Sequence, residues 1–302
     1  MKLWITGANG QVGSALVKQA IDKGSEVVAT TRSDLDITNA DQVYTFANKY
    51  QFDAIINAAA YTAVDKAETD SVQAYQVNAE AVKCLAQAAL SLDIPLLHIS
   101  TDYVFDGTKQ SPYHESDSIS PVNIYGASKR KGEEYLELSG AKFINLRTSW
   151  VFGTEGNNFV KTMVRLANER EELGVIDDQK GAPTFAADIA STLLTIAKKV
   201  TEAEFSEWGT YHFSGTPNTT WWGFAKYAIE KAFEKGLVER LPTLNKLTTE
   251  QYPTPAKRPL NSRLNNEKIQ KVFSVECSDW KTGVCVLNNI ECVDGKVEPV
   301  LK

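Results

Sequence analysis

The sequence is poor in the residues that bind metals or form disulfides. Its 302 residues include only three histidines and four cysteines, at Cys84, Cys277, Cys285 and Cys292. No two cysteines have Cys-x-x-Cys spacing, so the common zinc and dithiol patterns are absent. Free thiols in a reducing cytoplasm are the simplest interpretation of these cysteines.

Long apolar runs and an excess of positive charge are also lacking. No run approaches the length of a membrane span. The net charge of -6 argues against a nucleic-acid or anionic-membrane partner. The first residues enter a core strand at once, which leaves no room for a signal peptide. We therefore expect a cytoplasmic protein whose partner is a small molecule.

A glycine-rich turn follows the first predicted strand. Gly7, Gly10 and Gly13 lie between a short apolar strand, residues 2–6, and a helix that begins near Ser14, and a second strand follows. In this βαβ context the glycines would let the backbone approach a pyrophosphate at the helix N-terminus. A purely structural turn is the alternative. The spacing is G-x-x-G-x-x-G rather than the commoner G-x-G-x-x-G.

The end of the second strand bears on the choice of nicotinamide cofactor. An acidic residue there would bond the ribose 2′-hydroxyl, whereas an arginine would accept a 2′-phosphate. The chain has Thr30, Thr31 and Arg32, which favours NADPH, with NADH still possible. Arg32 as a solvated loop residue is the alternative. Asp36 and Ile37 follow and could lie along the adenine.

Strands and helices alternate from the first residue to about Trp150. Buried strands are predicted at 53–57, 95–100 and 143–147, and small residues at 58–60 would permit close approach of a ligand, or simply tight packing. The pattern predicts an α/β fold, a Rossmann-type doubly wound parallel sheet. The dinucleotide-binding domain is predicted at 1–150, with a returning helix near 186–200. Residues 151–185 and 205–302 are predicted to form mainly a smaller, mixed α/β substrate-binding lobe.

Tyr125 and Lys129 are four residues apart at the start of a predicted helix, so both lie on one face. An ammonium beside a phenol lowers the tyrosine pKa, and such a tyrosine can exchange a proton with a substrate oxygen. The alternative is an ordinary surface helix in which Lys129 pairs with Glu133.

Together with Thr101 after a later strand, these motifs resemble the extended short-chain dehydrogenase/reductase superfamily over essentially the whole chain. Several longer sequence segments are more specific and resemble one family within that superfamily, the dTDP-4-dehydrorhamnose reductases. These segments are NAAAYTAVDKAE at 57–68, STDYVFDG at 100–107, PVNIYGASKRKGE at 121–133, RTSWVFG at 147–153, GNNFVKTM at 156–163, DDQKGAPT at 177–184 and YPTPAKRPLNSRL at 252–264.

The resemblance implies reduction of the C4 ketone of a dTDP-4-dehydro-6-deoxy sugar, the last step of dTDP-L-rhamnose synthesis. Tyr125 would donate the proton, Lys129 would lower the tyrosine pKa and bond the nicotinamide ribose, and Thr101 would donate to the same oxygen. The cofactor positions expected from the motifs and the resemblance are Gly7, Gly10, Gln11, Val12, Gly13, Arg32, Asp36, Ile37, Ala59, Ala60, Tyr61, Thr62, Tyr125 and Lys129. The substrate positions are Val64, Thr101, Asp102, Tyr103, Trp150, Asn158 and Arg258.

Some of these substrate positions have plausible alternatives. Trp150 could be an ordinary interior tryptophan. Arg258 is a candidate for the diphosphate because a guanidinium matches phosphate oxygens in pairs, but Lys257 and Arg263 compete with it. Some family members are described as magnesium-linked dimers. The sequence shows no compact carboxylate cluster from which to argue for Mg²⁺, and it leaves monomer and homodimer open.

Related activities differ at identifiable residues. Nucleotide-sugar dehydratases carry Asp-Glu after the catalytic threonine, whereas this chain has Asp102-Tyr103, so elimination lacks its base. Epimerases use the same Tyr and Lys, but the segments at 57–68 and 252–264 favour the reductase. The methionine adenosyltransferase regulatory subunit, a non-catalytic binding module, also resembles this family. The presence of Thr101, Tyr125 and Lys129 favours an enzyme.

Overall fold

The structure is a computed structural model that describes residues 1–202 and 204–287. A six-stranded, wholly parallel sheet has the strand order β10-β5-β4-β3-β1-β2. The strands of the described chain are β1 (Lys2–Thr6), β2 (Glu26–Thr30), β3 (Ala54–Asn57), β4 (Leu96–Thr101), β5 (Phe143–Thr148), β6 (Val151–Phe152), β7 (Glu172–Ile176), β8 (Lys180–Gly181), β9 (Thr184–Phe185), β10 (Gly209–His212), β11 (Gly215–Thr216), β12 (Thr219–Thr220), β13 (Thr243–Leu247) and β14 (Ser278–Asp279).

Helices cover both faces of the large sheet. The helices are α1 (Gln11–Asp22), α2 (Ala40–Ala47), α3 (Val64–Ala67), α4 (Ser71–Tyr75), α5 (Ala81–Leu92), α6 (Ile124–Leu138), α7 (Phe159–Glu169), α8 (Ala186–Val200), α9 (Trp221–Glu234), α10 (Glu267–Phe273) and α11 (Trp280–Leu287). Helices α1 and α8 pack on one face, and α2, α5 and α6 pack on the other. The predicted Rossmann-type sheet is therefore confirmed.

The central strands are apolar because both of their faces are covered. In β1, residues Leu3, Trp4 and Ile5 are fully buried, as are Ile55 and Ile56 in β3. The register places Thr6 beside Asn57 and Asn57 beside His98, so three polar side chains form a row across the carboxyl end of the sheet. Ligands bind at this end of open α/β sheets.

A second apolar core lies beyond the sheet. Helices α7, α9 and α11 pack together with β7 and β13 around Phe152, Phe224 and Trp280. Strands β7 and β13 form a parallel pair. Neither strand was predicted from the sequence. In β7 buried residues alternate with exposed ones, but three of the five β13 residues are exposed, so polar side chains obscure the 2-residue period.

Part of the segment 205–302 belongs to the first core. Strand β10 pairs with β5 at the edge of the large sheet, and Ile269 and Phe273 of α10 pack against the same core. The chain thus returns to the sheet more than once, and the proposed division between the two regions stays a prediction. In the described residues, no helix is long and apolar enough to cross a membrane.

Candidate active site

The glycine turn after β1 needs glycine at two positions for steric reasons. Gly7 has a φ of +66°, and a Cβ there would lie 2.5 Å from the Ala59 backbone nitrogen. A Cβ on Gly13 would lie 2.0 Å from the Gly7 carbonyl oxygen. Helix α1 begins after Gly10 without a side-chain cap. Its first backbone N–H groups can therefore receive a phosphate, as expected for a dinucleotide.

A cleft of about 650 Å³ opens beside this turn. Among the predicted cofactor residues, its walls include Gly7, Gly10, Arg32, Asp36, Ile37, Ala59, Ala60 and Tyr61. The sequence reasoning missed several other wall residues: Asn9, Thr31, Leu35, Thr38, Lys66, Gln73, Gln76 and Val77. Most of these lie next to a predicted residue or on the segment 73–77, which faces the cleft. Their only signal in the sequence was proximity to the motifs.

Six other predicted cofactor residues lie outside the walls of this cleft, and two of them, Tyr125 and Lys129, are on helix α6. Val12 and Gly13 are buried inside α1. Gln11 faces the side chain of Asn158, whose Nδ2 lies 3.3 Å from Gln11 Oε1. Thr62 is exposed in the loop before α3. Their roles as cofactor contacts stay predictions.

The loop after β2 presents one cation to the cleft. Arg32 is exposed at the wall. Asp36 Oδ1 instead accepts bonds from the Thr38 backbone nitrogen at 3.0 Å and the Thr38 hydroxyl at 2.7 Å. The Thr38 bonds hold the pKa of Asp36 below its usual range. The Asp36 carboxylate is bonded within its own loop. Of the two charged groups, the Arg32 guanidinium is therefore the one available to a ligand.

Helix α6 starts against the residues that follow β4. The Asn123 side chain caps it by accepting from the Gly126 nitrogen at 2.8 Å. A Cβ on Gly126 would lie 2.1 Å from the Tyr103 carbonyl oxygen, so the contact is tight. Tyr125 consequently packs edge-on against Tyr103 with ring centroids 5.7 Å apart. The helix start and the strand end thus bring two predicted site residues together.

The Tyr125 phenol is more firmly protonated than predicted. Burial raises its pKa, the nearby Thr101 hydroxyl lowers it, and the Asp102 charge raises it, to about 12 overall. The pKa of Tyr125 is thus raised, which is opposite to the direction expected from Lys129. The Lys129 Nζ bonds the Ile99 carbonyl at 2.7 Å and lies 3.1 Å from His98 Nε2. Burial lowers the pKa of Lys129 to about 8.

Glu133 does not pair with Lys129 as the alternative interpretation required. It accepts two bonds from Arg147, at 2.9 Å to Nε and 2.7 Å to Nη2, and both side chains are buried. Burial alone would raise the pKa of Glu133, but the Arg147 bonds and charge lower it to about 2. This pair ties α6 to β5 beneath the site and leaves Lys129 to other partners.

Thr101 and Asp102 are buried at the carboxyl end of β4. The Thr101 hydroxyl donates to Asp102 Oδ1 at 2.9 Å and accepts from the Tyr103 nitrogen at 3.2 Å. To donate to a substrate, it must turn away from Asp102. Burial raises the pKa of Asp102 to about 7, against the opposing effect of its hydrogen bonds. Asp102 is therefore close to half-protonated at neutral pH.

The other predicted substrate residues come from distant segments. Val64 begins α3, and Asn158 caps α7. Arg258 makes a bidentate pair with Asp65, at 2.9 Å and 2.7 Å. Asp65 was not predicted, although it follows Val64 in a motif already singled out. The Arg258 charge also lowers the pKa of the Tyr103 phenol, which burial raises overall.

Trp150 is neither fully exposed nor an ordinary core residue. Its backbone has a φ of +47°, and its indole stacks on Trp221 with centroids 3.6 Å apart. Gly181 lies directly beneath, since a Cβ there would be 2.4 Å from the indole. Trp221 was missed because its helix carries no motif. The stacked pair forms a flat apolar wall of the kind that suits a sugar or base.

The described site combines a dinucleotide turn, a Tyr-x-x-x-Lys helix and a threonine at the neighbouring strand end. This fold and this site define a nicotinamide-dependent oxidoreductase of the short-chain dehydrogenase/reductase type. The comparisons with known proteins narrow the class to one family.

A family model described as the RmlD substrate binding domain matches residues 1–290. The dTDP-4-dehydrorhamnose reductase of Aggregatibacter actinomycetemcomitans is 49% identical over 93% of this chain and 96% of its own length. That of Escherichia coli K12 is 42% identical over 94% and 96%. A crystal structure of a dTDP-4-dehydrorhamnose reductase from Clostridium acetobutylicum superposes with a TM-score of 0.87 at 38% identity, covering 95% of this chain and 98% of that one. The corresponding enzyme from Bacillus anthracis, solved in complex with NADP, gives a TM-score of 0.86 at 36% identity, covering 94% and 96%.

The chain belongs to the dTDP-4-dehydrorhamnose reductase family. The family resemblance inferred from the sequence motifs is thereby confirmed.

Proposed function

We propose that this protein reduces the C4 ketone of dTDP-4-dehydro-β-L-rhamnose to dTDP-L-rhamnose, with NADPH as the preferred cofactor and NADH as a possible substitute. The observation that carries the proposal is the placement of Tyr125, which packs against Tyr103 beside Thr101 at the carboxyl end of the sheet. Near relatives bear the name of this activity, and one relative was solved with NADP.

The residues present fit a dinucleotide. The first turn of α1 is uncapped by side chains, and Gly10 leaves its approach open, since the only nearby atom that a Cβ would meet is the Gly7 oxygen at 3.3 Å. Ala59 and Ala60 provide a wall without bulky side chains, and Arg32 offers charge for a 2′-phosphate. When bound, the nicotinamide supplies the hydride.

The protein's own residues account for the proton. Tyr125 remains a phenol at neutral pH because its pKa is raised to about 12, so a donor is present before the substrate arrives. Alkoxide formation at the sugar C4 oxygen draws this proton from Tyr125. Lys129 would move from the Ile99 carbonyl toward the cofactor ribose, where its charge would lower the tyrosine pKa. Thr101 would turn its hydroxyl from Asp102 to the same oxygen.

The substrate's two ends would meet different groups. Val64, Asp102, Tyr103 and Trp150 would surround the deoxysugar, and Arg258 and Asn158 would meet the diphosphate. Arg258 is half-buried and already holds one bidentate anion, the Asp65 carboxylate, which supports its suitability for a phosphate. The substrate would then replace Asp65 as the partner of this guanidinium.

The division of the chain extends the same proposal. Residues 1–150 with the helix at 186–200 would hold the cofactor, and residues 151–185 and 205–302 would mainly hold the substrate. We further propose a cytoplasmic enzyme that works as a monomer or homodimer. The free thiols of Cys84, Cys277 and Cys285 support a reducing compartment. Cys292 lies outside the described residues.

The test is consumption of NADPH by the purified protein. NADPH absorbance should fall only when the 4-keto sugar nucleotide is added, and dTDP-L-rhamnose should accumulate in equal amount. Parallel assays with NADH give the ratio of kcat/KM values for the two cofactors. No substrate-dependent loss of absorbance with either cofactor would refute the reductase proposal and favour a binding module.

A further inference from the structure

A continuous row of hydrogen bonds crosses the sheet and ends on Lys129. The Thr6 hydroxyl donates to Asn57 Oδ1 at 2.7 Å, Asn57 Nδ2 lies 2.9 Å from His98 Nδ1, and His98 Nε2 lies 3.1 Å from Lys129 Nζ. The first three residues are register partners in β1, β3 and β4, and all four side chains are buried. The reaction proposed above uses only the last of them.

The orientation of the Asn57 amide is fixed by its neighbours. Its Oδ1 also accepts from the Ala59 backbone nitrogen at 3.1 Å, and a backbone N–H can only donate. The oxygen therefore points away from His98, and the NH₂ group points at His98 Nδ1. Because an NH₂ group needs an acceptor, Nδ1 carries a lone pair. The single proton of the neutral imidazole must then lie on Nε2.

The Nε2–H donor faces a lysine that has its own donors. An ammonium has three N–H bonds and no lone pair, whereas a neutral amine has a lone pair that can accept from Nε2–H. The Ile99 carbonyl takes one proton of Lys129 at 2.7 Å in either state. The Nε2–H group of His98 thus meets an acceptor when Lys129 is a neutral amine and meets another donor when Lys129 is an ammonium.

We propose that Asn57 and His98 are positioning residues. They hold Lys129 beside His98, where the neutral amine is favoured, until Lys129 moves to the bound cofactor. The proposal deepens the reductase proposal and rests on it. Lys129 leaving His98 for the ribose would hold its proton more firmly and remain the cation that the proton donor Tyr125 needs. Cofactor binding would therefore raise the pKa of Lys129 above about 8 and keep the site charged at higher pH.

Other ionisable groups around Lys129 act in known directions. Glu133, one turn further along α6, favours the ammonium, but Arg147 of β5 already neutralises it. Tyr125 on the same helix and Asp102 after β4 are close enough for the Asp102 charge to raise the pKa of Tyr125. Burial opposes the ammonium most strongly, and the net pKa of Lys129 is about 8. The direction agrees with the hydrogen-bond argument. Burial lowers the pKa of His98, and the Lys129 charge lowers it further, so His98 stays neutral.

The first experiment reads the His98 tautomer in the whole, cofactor-free protein by ¹⁵N NMR of its histidines. His114→Gln and His212→Gln assign the signals, because the chain has only three histidines. We expect His98 to be neutral with its proton on Nε2. A proton on Nδ1, or a charged ring at neutral pH, would overturn the proposal. This measurement uses no substrate, so it can fail or succeed independently of the reductase activity.

The second experiment reverses the donor and acceptor roles along the row of hydrogen bonds. In Asn57→Asp the carboxylate would accept from Nδ1–H, so Nε2 would offer a lone pair to the ammonium. The alkaline limb of kcat/KM for NADPH should move from near pH 8 toward the ordinary lysine value of 10.5. Asn57→Leu removes the amide without adding charge and should move the limb the same way by less. If the protein proves inactive, the pH dependence of NADPH affinity serves as the readout.

Two variants separate positioning from mere packing. His98→Gln can accept from Asn57 with its oxygen and donate to Lys129 with its NH₂, so it should keep the limb near that of the wild type. His212→Gln changes another buried histidine, one that bonds the Tyr113 carbonyl and not Lys129, and should also leave the limb in place. The proposal would be refuted if the His98 tautomer inverts in Asn57→Asp while the alkaline limb of kcat/KM for NADPH stays in place. If the Asn57 variants do not fold, the wild-type tautomer and His98→Gln decide the matter.

Discussion

The cofactor edge and the substrate side of this site are built in different ways. The cofactor edge consists of backbone and small residues in short contiguous stretches, such as Gly7 against Ala59. The substrate side consists of charged and aromatic side chains from segments up to 193 positions apart, and these side chains already bond one another. The first region is ready to bind, whereas the second must exchange internal partners for ligand. Catalytic residues lie between the two, and Lys129 and Thr101 must also change partners.

The largest effect on kcat is expected for a substitution of Tyr125, which lies between these regions. Tyr125→Phe removes the only proton donor that we assign and should lower kcat by about a hundredfold or more. The KM for NADPH should change less than kcat, because the glycine turn is untouched. Tyr103→Phe is the matched control, since it removes a hydroxyl from the adjoining ring, and its loss in kcat should be much smaller. Near-wild-type kcat in Tyr125→Phe would remove this residue from the mechanism.

The next effect tests whether the substrate side exchanges partners. Arg258→Gln should raise the KM for the sugar nucleotide by about 10- to 100-fold, the usual worth of hydrogen bonds to a charged group, and leave the KM for NADPH unchanged. Arg263→Gln is the control, because Arg263 bonds Asn261 and the Gln110 carbonyl instead. Equal effects of the two variants would contradict a specific role for Arg258.

The buried Glu133–Arg147 ion pair beneath both regions should affect the stability of the protein at acidic pH. The folded pKa of Glu133, about 2, is below its unassociated value of 4.5, so its stabilisation is present above pH 4.5 and is lost as the pH falls toward 2. Over that range the wild type should lose more stability than Glu133→Gln, by roughly 3 kcal/mol. Denaturant unfolding from pH 6 to pH 2 measures this difference. Parallel stability curves would show that the carboxylate titrates normally.

The smallest effect concerns one exposed charge on the cofactor edge. Arg32→Gln should reduce the preference for NADPH over NADH by several-fold, since an exposed ion pair contributes about 1 kcal/mol or less. Lys23→Gln, at the far end of α1, removes a charge outside the cleft and should leave the ratio unchanged. An unaltered ratio in Arg32→Gln would assign the choice of cofactor to other wall residues.

The same contrast explains what the sequence could predict. The glycine turn was visible because its geometry depends on neighbouring residues, and the parallel sheet was visible because its strands are buried on both faces. The Tyr125–Lys129 spacing identified two residues but not their partners. Whether Lys129 contacts Tyr125, Glu133 or His98 depends on the register of β4 with β3, which lies outside any local motif. Asp65 was missed because its partner Arg258 is 193 positions away, and the β7–β13 pair was missed because polar residues obscure its 2-residue period.

We propose that this site delivers a hydride to C4 of the sugar and a proton from Tyr125 to its oxygen. Turnover of dTDP-4-dehydro-β-L-rhamnose with NADPH deuterated at the transferred position tests it most directly. We predict one deuterium at sugar C4 for each NADPH oxidised, with dTDP-L-rhamnose as product and almost no label transfer in Tyr125→Phe. Deuterium at another carbon, retention of label on the cofactor, or full transfer by Tyr125→Phe would contradict the account.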